Sequence, residues 1–537
     1  MEKKTNQLMN LTKKSLHHLT YKLTVVILFS LLASSVNAAV ILPDIIANNM
    51  VLQRNKPVPI WGTANPGEEV TVTFAGQTLK TTAKEDRKWM VKLKAMPANA
   101  NPQKMIIKGK NTIELSGIVI GEVWLLTGQS NMQLILSSTT DGEEKIAAAD
   151  KPNIHLFNVD RKIAFHHKRG NLANWEKCTP LSVEEFSAAG YYFGVNLQEA
   201  LNIPIGLINA SFGGSQVEAW MPEEYLLASE DFKPCVDRTA LWVAERPDVQ
   251  AKYDSDMEAW KKAAEEAEKN NTKAPRQPRV PDALRDYRIA ASIYNNMIEP
   301  LIPYTIQGAF WYQGESNEER AEQYGMLLPV FVVSWRDKWK ANGGSGDFPF
   351  GIIQLPNYRD IEPEPVDNAW SHIREAQRRT VTKTKNTALI VTIDIGEAHD
   401  IHPHNKLDVG KRMARWALAD VYGKDMVATG PMFKKSKVKG DKIELQFDVV
   451  GEGLKTKDGN APMEFAIAGA DKKWYWAKAK IIGKNKVEVW AGEVPNPVAV
   501  RYAFNSNPKN PNLTNESGLP AAPFRTDNWP DPTAGKR

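Results

Sequence analysis

The sequence predicts an α/β protein with a mostly parallel central sheet and β-rich segments before and after it. Between residues 116 and 423, short apolar runs alternate with stretches of helical periodicity, which is typical of α/β architecture. Residues 39–115 and 424–537 instead alternate apolar with polar side chains, as half-buried strands do. A chain of 537 residues is long enough for several domains.

Five short apolar runs are predicted to form the central sheet, because strands that are buried on both faces are apolar throughout. They are 118–127, 204–210, 305–312, 350–355 and 388–394. Helices are predicted where apolar residues recur every three or four positions. These are a helix containing Phe193, Leu197 and Leu201, and two longer helices at 320–341 and 405–422. A Lys-, Glu- and Ala-rich segment near 223–290 is predicted to be a solvated helical insertion.

The composition is that of an ordinary globular protein, with 42% hydrophobic and 24% charged residues. The net charge of +5 is small for this length, and no basic cluster with interleaved aromatic residues occurs. Nucleic acid is therefore not an expected partner. Cys178 and Cys235 are the two cysteines. They could pair in an oxidising compartment or remain as two buried thiols.

Residues 1–38 are expected to be a secretory signal peptide. Lysines precede an apolar core at 23–36, and small residues around Ala38 offer a cleavage site. The apolar core is shorter than the roughly 20 residues of a membrane-spanning helix. We therefore expect a secreted or periplasmic protein without stable membrane insertion after cleavage.

A serine lies just past the first central strand, where an open α/β sheet holds its reactive groups. The strand 118–127 leads through Gly128 and Gln129 into Ser130. A serine at this place can be a nucleophile whose own backbone N–H faces a developing oxyanion. The alternative is a serine that caps the following helix.

The strand 204–210 is followed by a pair of glycines, Gly213 and Gly214. Glycines let backbone N–H groups approach a ligand closely, although a tight turn would use the same residues.

Polar side chains follow the strand 305–312. Gln313 and Asn317 carry N–H groups that can stabilise an oxyanion, and Glu315 could be an acid, a base or a structural anchor. A polar loop without a catalytic role is the alternative.

A histidine after the fifth strand supplies the base that a nucleophilic serine needs. This residue is His402, and Asp400 could orient its imidazole. Asp394, at the end of the strand, is the competing carboxylate. The chain order Ser, Asp, His occurs in other hydrolases.

The same loop offers a second interpretation, in which His399, His402 and His404 bind a metal together with Asp394 or Asp400. The spacing is not that of a helical metal motif, and a proline interrupts it. We expect no metal and no organic cofactor.

Together these motifs resemble the successive sequence blocks of the SGNH hydrolases, and most closely the sialate O-acetylesterase-like branch of the carbohydrate esterases. The blocks are residues 128–132, 213–214, 313–317 and 401–403. Residues 51–54, 218–221 and 523–527 also resemble that branch, so the likeness covers nearly the whole chain after residue 38. The resemblance implies a three-layer α/β/α catalytic domain at 116–423, with β-sandwich-like segments at 39–115 and 424–537.

The resemblance also implies a role for each matching residue. Ser130 is expected to be the nucleophile and His402 the general base. The expected oxyanion donors are the backbone N–H groups of Ser130 and Gly214 and the side chain of Asn317, with Gln313 as the alternative side chain.

The third member of the triad departs from the wider superfamily, in which the carboxylate commonly lies three residues before the histidine. Position 399 is a histidine here. Asp400 is therefore the expected carboxylate, with Asp394 as its competitor, and Glu315 is an alternative catalytic residue.

Four further residues are weaker candidates for sugar contacts, and a loop or packing role is favoured for each. They are Gln129, Gln216, Glu218 and Trp311.

The predicted function is removal of O-acetyl groups from carbohydrates, of the sialate O-acetylesterase type, through an acetyl-enzyme intermediate. A deacetylase of xylan or pectin is the alternative within enzymes. A glycan-binding protein with a decayed hydrolase core is the alternative from another class, and the presence of Ser130, His402 and two candidate carboxylates argues against it. The expected partner is an O-acetylated sugar or glycan, whereas the oligomeric state is not predicted.

Overall fold

In a computed structural model of the chain, residues 39–161 and 174–537 are described. The expected signal peptide lies outside these residues. Among the helices of the described ranges, none combines the length and the apolar character that crossing a membrane requires.

The N-terminal region consists of short strands that pair mainly antiparallel. They are β1 (Val51–Gln53), β2 (Val58–Thr63), β3 (Glu69–Phe74), β4 (Gln77–Thr82), β5 (Lys88–Leu93) and β6 (Asn99–Lys108). β2 pairs with β5, and β3 pairs with β4 and β6. Val70, Val72 and Phe74 alternate along β3, and all three are buried in the core.

The central sheet is mostly parallel, as predicted. Its strands are β7 (Thr112–Gly128), β8 (Lys151–Asn158), β9 (Trp175–Cys178), β10 (Ile205–Ser211), β11 (Gly308–Tyr312), β12 (Phe350–Ile353) and β13 (Thr387–Ile390). Their order across the sheet is β13-β12-β11-β7-β10-β8-β9. All neighbours are parallel except β8 and β9.

The long strand β7 joins the N-terminal region to the central sheet. Its first part pairs antiparallel with β6, and the part from Glu122 onward pairs parallel with β10. Through these pairings β1, β3, β4 and β6 belong to the same 11-stranded sheet as the central strands. The boundary expected at residue 115 lies inside β7, and the domain boundaries stay predictions.

Helices cover both faces of the central sheet, which confirms the three-layer α/β/α arrangement. Helices Ala188–Leu201 and Lys406–Trp416 share a core cluster with Trp124 and Leu126 of β7. Helices Ala321–Ala341 and Ala369–Lys383 share the other cluster with Val123 and Leu125. Successive β7 side chains point to opposite faces, and each face is apolar because a helical layer covers it.

The other α-helices include one long insertion. They are Ser130–Gln133, Gly142–Ala147, Pro180–Val183, Glu223–Leu227 and Lys233–Lys269. The 3-10 turns are Leu136–Ser138, Val217–Trp220, Asp282–Leu284, Asp286–Arg288, Glu299–Leu301 and Glu315–Arg320, and the π turns are Tyr294–Ile298 and Ala417–Val421. The predicted helix 405–422 therefore ends as an α-helix at Trp416 and continues as a π turn.

The C-terminal region forms antiparallel sheets, in agreement with the predicted β-rich segment. Its strands are β14 (Met432–Lys439), β15 (Lys442–Asp448), β16 (Leu454–Thr456), β17 (Phe465–Ala468), β18 (Trp474–Trp476), β19 (Lys478–Gly483), β20 (Lys486–Trp490), β21 (Ala499–Tyr502), β22 (Leu513–Asn515) and β23 (Phe524–Arg525). The sheets run β14-β15-β20-β19, β18-β17-β21-β23 and β16-β22.

The two cysteines are buried free thiols. Burial raises the pKa of Cys178 to about 12 and the pKa of Cys235 to about 11. Both thiols are therefore protonated and unreactive near neutral pH.

Candidate active site

The carboxyl end of β7 lies between the carboxyl ends of β10 and β11. Gly128 of β7 is opposite Ser211 of β10 on one side and Tyr312 of β11 on the other. The chain adds β10 to one edge of β7 and later crosses over to add β11 to the other. Such a switch point leaves a crevice at the strand ends, which is where open α/β sheets bind ligands.

Gly128 makes the sharp turn that presents Ser130. Its φ is +128°, and a Cβ at this position would lie 2.1 Å from the carbonyl oxygen of Tyr312. Gln129 donates its N–H to the same carbonyl at 2.9 Å. Ser130 is then the first residue of the helix Ser130–Gln133, whose N-cap residue is Gln129. The serine hydroxyl is therefore not a helix cap, contrary to the alternative interpretation of the sequence.

Ser130 and His402 are hydrogen-bonded to each other. The distance from Ser130 Oγ to His402 Nε2 is 2.8 Å. Burial lowers the pKa of the half-buried His402 imidazole, and nearby Asp400 opposes this shift. A neutral imidazole can accept the serine proton, so the pair has the geometry of a nucleophile and its general base.

Asp400 is close to His402, whereas Asp394 is paired elsewhere. The Asp400 carboxylate accepts the backbone N–H of His402 at 2.7 Å, and its Oδ1 lies 3.8 Å from the imidazole Nδ1. The latter distance is too long for a hydrogen bond. Both oxygens of Asp394 accept from Arg412, at 2.7 and 2.8 Å. Of the two candidate carboxylates, Asp400 is the one that contacts the base.

The glycine pair lies against Ser130. A Cβ on Gly213 would be 3.5 Å from the Ser130 Cβ, and Gly214 has a φ of +73°. Within residues 39–161 and 174–537, the backbone N–H groups of Ser130 and Gly214 have no hydrogen-bond acceptor. Two N–H groups without an internal partner beside a nucleophile are what an oxyanion hole requires.

The two candidate side-chain donors are hydrogen-bonded within the protein. Asn317 donates its amide N–H to Glu218 at 2.9 Å, while its oxygen accepts from Gln313 at 2.7 Å. Gln313 also donates to the carbonyl of Ser215 at 3.1 Å. Neither amide is therefore free in this arrangement, and their roles in the oxyanion hole stay predictions.

Glu315 has a buried carboxylate close to the buried amine of Lys406. Burial raises the pKa of Glu315 to about 6, even though Asn131 donates to it. Burial also lowers the pKa of Lys406 to about 7, and the attraction of Glu315 opposes this shift. Neither group contacts Ser130 or His402 through a side-chain hydrogen bond in the described part of the chain.

The chain matches the family described as "Carbohydrate esterase, sialic acid-specific acetylesterase" over residues 120–269 and 281–419, more than half of its length. It belongs to this family. The resemblance that the four motifs carry is thus confirmed. The protein is a carboxylic ester hydrolase of the sialate O-acetylesterase-like type, and the family implies an O-acetylated carbohydrate as substrate.

Related proteins match over nearly the whole length of this esterase. The structure of a carbohydrate acetylesterase from Xanthomonas citri is 31% identical, has a TM-score of 0.75, and covers 91% of this chain and 100% of that one. The sialate O-acetylesterase of Homo sapiens is 27% identical over 521 residues, covering 89% of this chain and 91% of the relative. That of Mus musculus is 28% identical over 525 residues, covering 89% and 93%.

Two candidate sugar-binding residues of the esterase are buried in its interior. Glu218 is 1% exposed and forms ion pairs with Arg320 and Arg238. Burial alone would raise its pKa, but the two arginines lower the pKa of Glu218 to about 2. Trp311 is fully buried and packs edge-on against Trp220. Trp311 therefore packs in the core and Glu218 is an ion-paired carboxylate, and a sugar contact by either residue stays a prediction.

The other two candidates, Gln129 and Gln216, both contact the backbone of Ser316. Gln129 accepts its N–H at 3.3 Å, and Gln216 donates to its carbonyl at 3.0 Å. They therefore connect the turn after β11 to the turns after β7 and β10. A sugar contact by either residue stays a prediction.

Three side chains near the base could together ligate a cation. Atoms of Glu397, Asp400 and His404 lie within 4.8 Å of one another. The set differs from the one considered in the sequence, since it includes Glu397 and omits His399 and His402. His402 instead bonds to the serine.

The residues that hold the glycine pair were not predicted from the sequence. Gln133 accepts the N–H of Gly213 at 2.6 Å, and Arg288 donates to the carbonyl of Gly214 at 3.3 Å. The ring of Tyr287 lies 3.3 Å from the position of a Cβ on Gly214. Gln133 could have been predicted, because it lies one helical turn after Ser130. No local sequence pattern predicts that Tyr287 and Arg288, which belong to the insertion, reach this site.

Proposed function

We propose that the protein is a serine esterase that removes O-acetyl groups from sialic acids through an acetyl-enzyme intermediate. The 2.8 Å hydrogen bond between Ser130 Oγ and His402 Nε2, at the switch point of the sheet, carries the proposal. Membership of the family and the names of its sialate O-acetylesterase relatives support the substrate class.

In the acylation step, Ser130 Oγ attacks the acetyl carbonyl carbon while His402 Nε2 takes the serine proton. The carbonyl π electrons move to oxygen, and the resulting oxyanion is stabilised by the N–H groups of Ser130 and Gly214. When the tetrahedral intermediate collapses, the bond to the sugar oxygen breaks. His402 returns the proton to that oxygen, and the sugar leaves as an alcohol.

In the deacylation step, water attacks the acetyl-enzyme and His402 again acts as base. A second oxyanion forms at the same two N–H groups. Its collapse breaks the bond between the acetyl carbon and Ser130 Oγ, which takes the proton back from His402, and acetic acid leaves and ionises to acetate. The two steps need no group beyond the side chains, the two N–H groups and water. Removing one oxyanion donor from such a site costs about 2.7 to 4 kcal/mol.

Replacing the nucleophile tests the proposal directly. Ser130→Ala should lower kcat for O-acetylated sialic acid by roughly 10⁴-fold or more, because loss of a nucleophilic serine has effects of this order. Released acetate is the measurement, and a retained melting temperature is the control for folding.

The same assay on a substrate panel separates the proposed substrate from the alternatives. Acetylated xylan, acetylated pectin and O-acetylated sialic acid are compared at equal ester concentration. A folded Ser130→Ala variant that keeps substantial activity would exclude Ser130 as nucleophile. Faster release from xylan or pectin than from sialic acid would assign the esterase to plant polysaccharide.

Replacing each candidate carboxylate by its amide tests which of the two assists His402. Asp400→Asn should lower kcat by about 10- to 100-fold, less than the 10⁴-fold seen where the carboxylate bonds directly to the imidazole. Asp394→Asn should change kcat less than about threefold, because it weakens only a surface ion pair with Arg412. A larger loss from Asp394→Asn than from Asp400→Asn would give the triad role to Asp394.

The pH dependence follows from the state of His402. The base must be neutral, so kcat/KM should fall as the pH drops through the His402 pKa. Burial lowers this pKa, with Lys406 and His404 adding to the shift and Asp400 opposing it. The midpoint of the acid limb should therefore lie below about 6.5, the ordinary histidine value. A midpoint above that value would show that Asp400 raises the His402 pKa by more than burial lowers it.

We further propose that the esterase is exported and acts outside the cytoplasm. The lysine-rich start, the apolar core at 23–36 and the small residues before position 39 support this location. Amino-terminal sequencing of the protein recovered from the periplasm or medium should begin at Ala39. Recovery of the intact chain from the cytoplasm would contradict the proposal.

A further inference from the structure

The carbonyl groups of the residues before and after His402 are held by buried side chains that the reaction itself does not use. Lys406 Nζ donates to the carbonyl of Pro403 at 2.6 Å. Asn131 Nδ2 donates to the carbonyl of Ile401 at 2.9 Å. These two carbonyls flank His402 in the chain, so the loop backbone is anchored immediately before and immediately after the base.

The two anchoring side chains are bonded to each other and to a carboxylate. Lys406 Nζ donates to Asn131 Oδ1 at 2.8 Å, and Asn131 Nδ2 donates to Glu315 Oε1 at 2.6 Å. Asn131 is 1% exposed and Lys406 is fully buried. We call Glu315, Asn131 and Lys406 the Lys406 network. It connects the turn after β11, the residue after the nucleophile and the start of the helix Lys406–Trp416.

Burying such a network lowers the stability of the folded state. A buried ammonium and a buried carboxylate each lose hydration worth several kcal/mol, and apolar residues of the same volume are often as stable or more so. The second oxygen of Glu315 is buried with no hydrogen-bond partner among the described residues. Stability alone therefore gives little reason for these three side chains to be present at this place.

The geometry around His402 gives a reason for the presence of these three side chains. Asp400 does not hydrogen-bond the imidazole, since its Oδ1 lies 3.8 Å from His402 Nδ1. The orientation of the ring then depends on the backbone of its loop. Asn131 is also the chain neighbour of Ser130, so one side chain ties the nucleophile to the loop that holds the base.

We propose that Glu315, Asn131 and Lys406 are positioning residues that hold the loop so that His402 Nε2 stays within hydrogen-bond distance of Ser130 Oγ. Lys406 and Asn131 act on the loop directly, and Glu315 orients the amide of Asn131. The inference rests on the proposed function, because it takes Ser130 and His402 as the reacting pair.

The first experiment removes the ammonium and keeps its aliphatic stem. Lys406→Met should lower kcat for O-acetylated sialic acid by about 100-fold, which is the effect of a misplacement of about 1 Å. KM should stay within about threefold, because the network contacts the base and not the sugar. Asn131→Ser should give the same split between kcat and KM, since serine is too short to reach Ile401 or Glu315.

Lys56 provides a matched control. Its amine also donates to a backbone carbonyl, that of Ile306 at 3.2 Å, but this carbonyl precedes β11 at the end of the sheet away from Ser130. Lys56→Met should leave kcat and KM unchanged within about twofold. The melting temperatures of all variants distinguish a loss of positioning from a loss of folding. If Lys406→Met does not fold, the kcat of Asn131→Ser tests the inference.

A double variant tests whether Lys406 acts through His402. In a His402→Ala background, adding Lys406→Met should lower the residual turnover by less than about twofold, because the base is already absent. The inference is overturned if a folded Lys406→Met or Asn131→Ser variant keeps kcat within threefold. It is also overturned if the loss persists in the His402→Ala background. An active Ser130→Ala variant would instead overturn the proposed function, so the two failures are distinguishable.

Discussion

The contact between the end of β7 and the end of β11 is the constraint on which the active site depends. Gly128 approaches the Tyr312 carbonyl so closely that any Cβ would overlap it, and Gln129 bonds to that same carbonyl. This contact turns the chain and sets Ser130 at the start of its helix. The parallel register of β7 with β10 then places the glycine pair beside the serine. An amino acid with a side chain at position 128 would displace the turn, and the positions of Ser130 and the glycine pair would change together.

Two buried glutamates near this contact show how neighbouring groups set the charge of a carboxylate. Glu218 lies between Arg320 and Arg238, and its pKa is lowered to about 2. Glu315 accepts a hydrogen bond from Asn131, and burial raises its pKa to about 6 although the charge of nearby Lys406 opposes this shift. Glu218 is therefore a fixed anion that orients Asn317. Glu315 is weakly acidic, and its contribution lies in the hydrogen bond that it accepts from Asn131.

Much of the fold could be predicted from local patterns. The apolar runs at 204–210 and 350–355 correspond to β10 and β12, because strands buried on both faces must be apolar along their whole length. The helix Ala369–Lys383 was not predicted, since its buried face includes Arg374 and Gln377, which hide the apolar periodicity. Their polar groups bond to Asn505 and Gln313, contacts that are distant in sequence. β8 and β9, at the edge of the sheet, were also not predicted.

In the candidate site, too, some features could be predicted from the sequence and others could not. By itself the sequence determined that four polar motifs follow strands, that Ser130 and His402 are the candidate nucleophile and base, and that the chain resembles the carbohydrate esterases. These conclusions depend on residues that are near neighbours in the chain. Only the tertiary structure decided that Asp400 contacts the base while Asp394 pairs with Arg412. It likewise decided that the side chains of Asn317 and Gln313 bond within the protein. Ser130 and His402 are 272 positions apart, and the contacts that join them form only when the strands pair and the loops pack at the carboxyl end of the sheet.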